Sequence, residues 1–261
     1  MLPGFVFAGG AGQVIATAVH AGHELQPAIA RLCAVDETTR LREEDPFTDR
    51  LVGVAGVQVV VHRSRFEVDL NRPRERAVYR APDDAWGLDL WRQPLSDGQI
   101  DESLGLYDDF YAECAHRFDE VAAAGPFVVF DLHSYNHRRG GPDASPASPA
   151  ENPEVNVGTG SLDRDCWGGV VDVFVEELGR CRVLDRRIDV RENVRFQGGE
   201  FSRWVNRRYA ERGCALAIEF KKTFMDEWTG ALDEHRLGEL RRALASVVPS
   251  VVAELDSAKC P

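Results

Sequence analysis

Three residues with metal-binding or acid–base chemistry stand at the carboxyl ends of predicted strands. His20 follows the apolar run VIATAV, His133 follows FVVFDL, and Glu219 follows CALAI. In open α/β sheets, ligands bind in the crevice beyond the carboxyl ends of the strands. Two imidazoles and one carboxylate, with a position left open for water, are the composition of a catalytic zinc site. The pattern therefore predicts a metal centre that has His20 and His133 as ligands.

Glu219 is predicted to act as a general base on water, outside the set of metal ligands. Apolar neighbours should raise the pKa of its carboxyl into the range where it can take and return a proton. The third metal ligand must then be another carboxylate or His23. Asp45 and Asp49 are four residues apart and would share one face of a helix. The acidic candidates in the segment LREEDPFTDR are Glu43, Glu44, Asp45 and Asp49.

The elements that must position these residues alternate between strands and helices. Strands are predicted over residues 14–19, 52–61, 126–132 and 214–220. Helices are predicted over residues 27–33, 102–123, 165–180, 199–212 and 232–255, the last interrupted near Pro249. This alternation is typical of a mostly parallel or mixed sheet with helices on both faces. The chain, residues 1–261, is therefore predicted to be a single α/β domain.

Composition excludes several classes of partner. The formal net charge of −12 speaks against nucleic acid, which needs a basic surface. No apolar run reaches the ~20 residues that span a membrane, and no signal peptide is recognisable, so we expect a cytoplasmic protein with no membrane partner. The six scattered cysteines form no CxxC pair and are expected to be small core residues, with none assigned to a metal or a disulfide. The sequence leaves the oligomeric state open.

Six short motifs, spread over most of the chain, follow one another in the order found in a known enzyme family. They are HAG at 20–22, DPFTDRL at 45–51, VDLNR at 68–72, DLHSY at 131–135, NVRFQGGEFSRW at 193–204 and LAIEF at 216–220. With these motifs the chain resembles the N-formylglutamate amidohydrolase family, relatives of the zinc carboxypeptidases and aspartoacylases. The resemblance implies a zinc-carboxypeptidase-like fold and hydrolysis of the amide bond of an N-formyl or N-acyl amino acid.

The same resemblance implies a set of metal ligands and a catalytic base. His20, Asp45 and His133 would bind one zinc ion per chain, and Glu219 would activate the water. Three other residues are alternative ligands or contacts to substrate: His23, Glu44 and Asp49.

The resemblance also implies how a small, carboxylate-bearing substrate is held. Asn71 and Arg72 would grip the substrate carboxylate, since a guanidinium matches a carboxylate with two parallel hydrogen bonds. Arg72 is also the first candidate to neutralise the oxyanion. Gly198 and Gly199 would direct backbone N–H groups at the substrate, beside Arg195.

Two positions depart from the family pattern and leave the substrate open. Position 23 is His, which gives HAGHE, and position 200 is Glu where the motif predicts an aromatic residue. An acid at position 200 would repel an acidic substrate unless Arg195 or Arg203 neutralises it. The acyl group and the amino acid are therefore not fixed by the sequence.

The sequence leaves open two alternative functions and the role of one loop. A metallocarboxypeptidase would need an open groove for peptides, whereas an N-acyl amino acid needs a small, closed pocket. A non-catalytic protein of this fold would bind an anionic metabolite or use its metal structurally, and a structural zinc site is closed by four protein ligands. The loop GGPDASPASPAENP, residues 140–153, permits a lid over the site and equally a segment without fixed structure.

Overall fold

The computed structural model describes residues 3–258 and 260, in which strands and helices alternate along the chain. The strands are β1 (Phe5–Gly9), β2 (Val14–Ala18), β3 (Val57–Val61), β4 (Phe127–Tyr135), β5 (Val155–Gly158), β6 (Arg182–Val183), β7 (Arg186–Arg187), β8 (Val190–Glu192) and β9 (Gly213–Lys221). The helices are α1 (Pro27–Ala30), α2 (Glu37–Glu43), α3 (Asp97–Ala124), α4 (Arg164–Arg180), α5 (Glu200–Arg208) and α6 (Glu234–Ser257). The ends of the predicted domain, residues 1–2, 259 and 261, lie outside the described residues.

Seven strands form one mixed sheet in the order β1-β3-β2-β4-β9-β5-β8. Its centre is parallel, from β3 through β2 and β4 to β9, and β1 and β5 are antiparallel to their neighbours β3 and β9. The register of β4 and β9 pairs His133 with Glu219. His133 and Glu219 thus lie side by side near the carboxyl ends of their strands.

Helices cover both faces of the sheet, which is why β4 is buried over its whole length. On one face Phe130 packs with α4 and α6, and its ring lies 5.2 Å from that of Phe174. On the other face Phe127 packs with α3 and α5, and its ring lies 6.1 Å from that of Phe118. Alternate residues of the strand supply the two cores, because successive side chains point to opposite faces. The predicted α/β fold with a mixed sheet covered on both faces is confirmed.

Several predicted element boundaries were wrong. The run 52–61 begins as a 3-10 helix, Val52–Val54, and becomes a strand only after Gly56, where a Cβ atom would lie 2.1 Å from the Ala11 carbonyl oxygen. β4 continues to Tyr135, so His133 lies inside a strand and not at its end. α5 ends at Arg208, and α6 runs without interruption through Pro249. The short strands β1 and β5–β8 had no counterpart in the prediction.

The expectation that no cysteine forms a disulfide was also wrong. Cys166, in the first turn of α4, is bonded to Cys260, which follows α6, and their Cα atoms are 4.6 Å apart. The packing of α4 against α6 brings together two residues 94 positions apart, which no sequence spacing reveals. Cys33, Cys114 and Cys214 are buried thiols, as expected of core residues. Disulfides are rare in the cytosol, so the cytoplasmic location stays a prediction.

Candidate metal centre

Two imidazoles converge on one carboxylate, one from just beyond the end of β2 and one from the last residues of β4. His20 follows β2, His133 lies in β4, and Asp45 follows α2 and is tied to His20 by a backbone hydrogen bond of 3.0 Å. The Nδ1 atom of His20 lies 3.4 Å from Asp45 Oδ2, and that of His133 lies 2.9 Å from the same oxygen. All three side chains are buried, and one ligand atom of each lies within 4.8 Å of the others. This group could hold a metal ion.

Two further carboxylates orient the two imidazoles from the side away from Asp45. His20 Nε2 lies 2.7 Å from Asp69 Oδ1, and His133 Nε2 lies 3.1 Å from Asp131 Oδ1. Metal-binding histidines almost always donate their other ring N–H to such a partner. His20 Nδ1, in contrast, is buried and has no hydrogen-bond partner. A bound cation would give this nitrogen atom a partner. Two imidazoles and one carboxylate are a donor set that suits zinc, so the residues fit the ion that the sequence predicts.

Burial and charge act against each other at the carboxylates of this centre. Burial raises the pKa of Asp45, but the hydrogen bond to His133 and the nearby His20 imidazole outweigh it and hold that pKa well below the usual range. Burial likewise raises the pKa of Asp69, but the Arg65 guanidinium and then His20 lower it by more. Both carboxylates are therefore ionised at neutral pH and form an anionic pocket for a cation.

Glu219 lies on β9 in register with His133 and faces the same cavity. Burial raises the pKa of its carboxyl to about 7, against the lowering effect of His133. The negative charges of Asp45 and Asp131 raise this pKa further. A carboxyl group that titrates near neutrality is suited to accept and return a proton.

A cavity of about 370 Å³ adjoins the three candidate ligands, within the usual size range of small-molecule sites. The cavity is lined by most of the residues that the sequence predicted to bind substrate: Asn71, Arg195, Gly198 and Gly199. Other cationic residues in the lining were not predicted as substrate contacts: Arg65, Arg139, Arg203 and Lys222. No part of the loop 140–153 belongs to this lining among the described residues.

Asn71 links the metal centre to the start of α5. Its Oδ1 atom accepts a hydrogen bond of 2.9 Å from the Phe201 backbone, and its Nδ2 atom lies 3.3 Å from His133 Nε2. Gly199 packs directly on this amide, since a Cβ atom there would lie 2.2 Å from Asn71 Oδ1. Gly199 thus lets α5 approach the amide, and Gly198 permits the turn before the helix with a positive φ of 101°.

Arg72 is not among the described residues that line the cavity. Its guanidinium lies 4.5 Å from the centre of the Tyr79 ring, and its Nε atom is 3.6 Å from Asp69 Oδ2. Arg65 lines the cavity instead and lies 2.8 Å from the same Asp69 oxygen. Sequence reasoning missed Arg65 and Asp69, although Asp69 lies within the quoted VDLNR motif.

The three alternative ligands are not part of the cluster that could hold a metal. His23 Nδ1 lies 2.5 Å from Glu44 Oε2, and the Glu44 carboxylate also contacts Arg40 and Ser64. Asp49 is exposed on a short 3-10 helix, Thr48–Arg50, so it shares no face with buried Asp45. At the second departure from the family pattern, Glu200 Oε1 is 3.3 Å from Arg207 Nη2, rather than paired with Arg195 or Arg203.

Comparisons with known proteins agree with the fold and with the family that the sequence resembles. The family model described as N-formylglutamate amidohydrolase matches residues 12–225. The crystal structure of N-formylglutamate amidohydrolase from Ralstonia eutropha JMP134 has a TM-score of 0.75 and 17% identity, over 97% of this chain and 98% of that chain. A gene product of Agrobacterium tumefaciens has a TM-score of 0.64 and 13% identity, over 97% and 96% of the two chains.

Other comparisons give weaker or no similarity. A metallo-carboxypeptidase from Burkholderia cenocepacia has a TM-score of 0.40 and 16% identity, over 96% of this chain and 61% of that chain. No curated protein matches the sequence. Within the described residues no helix is long and apolar enough to cross a membrane. Because the family model matches most of its length, the chain belongs to the N-formylglutamate amidohydrolase family, a family of amide-bond hydrolases.

Proposed function

We propose that this chain is a zinc-dependent amidohydrolase that cleaves the amide bond of an N-formyl or N-acyl amino acid. The observation that carries the proposal is the convergence of His20 and His133 on Asp45, beside a glutamate whose pKa is about 7. Three protein ligands leave a tetrahedral ion one position for water. When bound, zinc would supply Lewis acidity, which lowers the pKa of water and polarises the scissile carbonyl.

Glu219 has the position and the pKa for both proton transfers of the reaction. It would take a proton from the attacking water and return it to the leaving nitrogen. Charge that develops on the carbonyl oxygen needs a nearby donor. Arg65 is better placed for this role than Arg72, because its side chain lines the cavity.

The cavity has cations that suit a substrate carboxylate. Arg195 and Arg203 line it, and neither has a carboxylate within 4.0 Å among the residues described here. A guanidinium can bind a carboxylate through two parallel hydrogen bonds. Together with the small volume of the cavity, these arginines favour an N-acyl amino acid over a peptide bound in an open groove.

The decisive experiment joins metal content to turnover. Protein without a histidine tag is analysed for zinc, and release of free amine is assayed with N-formyl and N-acyl amino acids before and after chelation. Glu219→Gln should retain zinc and lose about 10²–10⁴-fold in kcat, the usual contribution of general acid–base catalysis. Glu234→Gln, on the exposed start of α6, is the matched control and should behave as the wild type.

Each adverse outcome points to a different error. An active Glu219→Gln variant would remove the base assigned here. Protein that binds zinc and substrate analogues without turnover would support the non-catalytic, anion-binding alternative. Protein that binds no metal under any loading condition would contradict the role of His20 and His133.

A further inference from the structure

A side chamber of about 200 Å³ adjoins the main cavity. The two spaces share Glu43, Trp86, Asn136 and Arg139 in their linings, so they are direct neighbours. We define the side chamber by these four residues together with the residues that line it alone: Arg42, Leu88, Glu227 and Trp228. Water in the liquid takes about 30 Å³ per molecule, so the chamber has room for several atoms of a ligand.

Two indole rings in the chamber walls are held in place by cations. Trp86 is 53% exposed, and its ring lies 4.8 Å from the Arg65 guanidinium. Trp228 donates a hydrogen bond of 3.0 Å to the Arg138 carbonyl, and the Arg42 guanidinium lies 4.2 Å from its ring centre. Planar guanidinium and indole groups stack on flat partners. The chamber therefore offers fixed, flat walls to a ligand.

The backbone conformation of Trp86 also indicates a ligand-binding role for this residue. Trp86 has a φ of 55°, in the left-handed region that side-chain-bearing residues rarely occupy. Such strain is found preferentially at ligand-binding and active sites. The strained turn leaves the large apolar ring exposed at the junction of the two spaces, where a ligand would cover it.

The acidic residues of the chamber are already satisfied by neighbours. Glu227 accepts hydrogen bonds from the backbone N–H groups of His137 and Arg138, and Glu43 lies 3.1 Å from Arg42. Arg139 has no carboxylate within 4.0 Å among the described residues. Both acids of the chamber therefore have hydrogen-bonding or ion-pair partners, and neither calls for a cationic ligand. The indole walls and the Arg139 guanidinium, which can stack on an aromatic face, favour a planar aromatic group.

We propose that the side chamber binds the acyl half of the substrate and that it selects an aromatic acyl group over formyl. This inference rests on the proposed function. The residues assigned to the substrate carboxylate, Arg195 and Arg203, line the main cavity only, so the chamber is left for the other side of the scissile bond. A formyl group has two non-hydrogen atoms and would leave the chamber to water, whereas a benzoyl ring would displace that water and stack on the indoles.

The test is a matched acyl series on one amino acid. N-formyl, N-hexanoyl and N-benzoyl derivatives of glutamate, and the same three of leucine, are assayed with zinc-loaded wild type. We expect kcat/KM for benzoyl to exceed that for formyl by at least about tenfold, the discrimination that one well-filled apolar pocket provides. Trp228→Ala should reduce the benzoyl-to-formyl ratio by about tenfold, and Trp228→Phe should restore most of it, since the flat ring is kept.

Controls separate this inference from the proposed function. Leu184→Ala truncates an exposed apolar side chain outside both linings and should leave the ratio unchanged. Thermal unfolding of each variant shows that the fold is intact. Hydrolysis of formyl but not benzoyl derivatives, or a ratio that Trp228→Ala does not change, would overturn the aromatic acyl site alone. No hydrolysis of any derivative, formyl included, would overturn the proposed function and this inference with it.

Discussion

Replacing Asp69 by Asn tests whether the carboxylate behind His20 fixes the metal centre. Asp69 is fully buried, and its Oδ1 atom lies 2.7 Å from His20 Nε2. Its Oδ2 atom accepts hydrogen bonds from the Arg65 guanidinium, at 2.8 Å, and from the Tyr79 hydroxyl. Asp69→Asn keeps the shape of the side chain, removes its charge and turns one accepting oxygen into a donor, so any loss reflects charge and hydrogen bonding rather than a cavity.

This geometry predicts that the substitution lowers two quantities independently, the affinity for zinc and the free energy of unfolding. Loss of a carboxylate that orients a metal-binding imidazole typically weakens metal affinity by about 10–100-fold. At about 1.4 kcal/mol per factor of ten, this is roughly 1.4–2.8 kcal/mol of zinc binding free energy. Separately, Arg65 loses its buried partner, and breaking a buried ion pair costs about 3–5 kcal/mol in the free energy of unfolding.

Both quantities can be measured on the same preparations. Zinc affinity is obtained by competition with a chromophoric chelator, and the free energy of unfolding of the metal-free protein by urea denaturation. Asp108→Asn is the matched control, because Asp108 pairs with Arg74 at 2.7 Å with both side chains 52% exposed. That exposed pair should contribute only about 0–1 kcal/mol, and zinc affinity should not change. If Asp69→Asn binds zinc as tightly as the wild type, the orienting role is refuted.

Three further predictions use other parts of the structure. In the proposed mechanism deprotonated Glu219 is the base, and its pKa is raised to about 7, so kcat/KM should fall as the pH drops through or below that value; a rise on acidification would contradict this. Gly199→Ala should raise KM about tenfold, because the new Cβ atom displaces the Asn71 amide, whereas Gly105→Ala, with open space around it, should not; steady-state kinetics compares the two. Phe118→Ala should lower the free energy of unfolding by about 3–5 kcal/mol in urea titrations, since Phe118 is fully buried among aromatic rings; a loss below 1 kcal/mol would contradict its core position.

Long periodic segments made the fold predictable, and short segments did not. The apolar run of β4 and the helical spacing in α3 each extend over enough residues to identify an element and its type. β6, β7 and β8 have only two or three residues each, too few to show a period. β1 was missed for a related reason: its burial falls away toward a glycine-rich loop, as is common at a sheet edge.

The site residues on strands were predictable, whereas those on irregular segments were not. His20, His133 and Glu219 were singled out by one rule, that ligands bind beyond the carboxyl ends of strands, and all three line one cavity, although His133 and Glu219 lie within the last residues of their strands. Arg65 and Asp69 lie in a segment of turns between β3 and α3, where no period indicates which side chains point inward. Hydrogen bonds to distant residues, such as that between Asp69 and His20, place them.

Glu44 and Asp45 show where sequence reasoning reaches its limit. The two acids are adjacent and equally buried, yet Glu44 contacts His23 and Asp45 contacts the two imidazoles. The choice between them depends on how the end of α2 is anchored. Lys222 fixes that end by donating hydrogen bonds to the carbonyls of Arg42 and Glu44. A residue 178 positions away in the chain thus settles which acid faces the metal centre.

The charges around this centre explain why the proposed cation is placed at Asp45 rather than elsewhere in the pocket. Asp69 is compensated by Arg65, and Asp131 Oδ1 by the Thr17 hydroxyl at 3.0 Å and by His133. Asp45 contacts the two imidazoles, which are uncharged in the state that binds metal. Lys222 and Arg65 attract the Asp45 carboxylate, but neither forms an ion pair with it within 4.0 Å among the described residues. A divalent cation bound between Asp45 and the imidazoles would stabilise this buried carboxylate directly, so zinc binding should raise the free energy of unfolding.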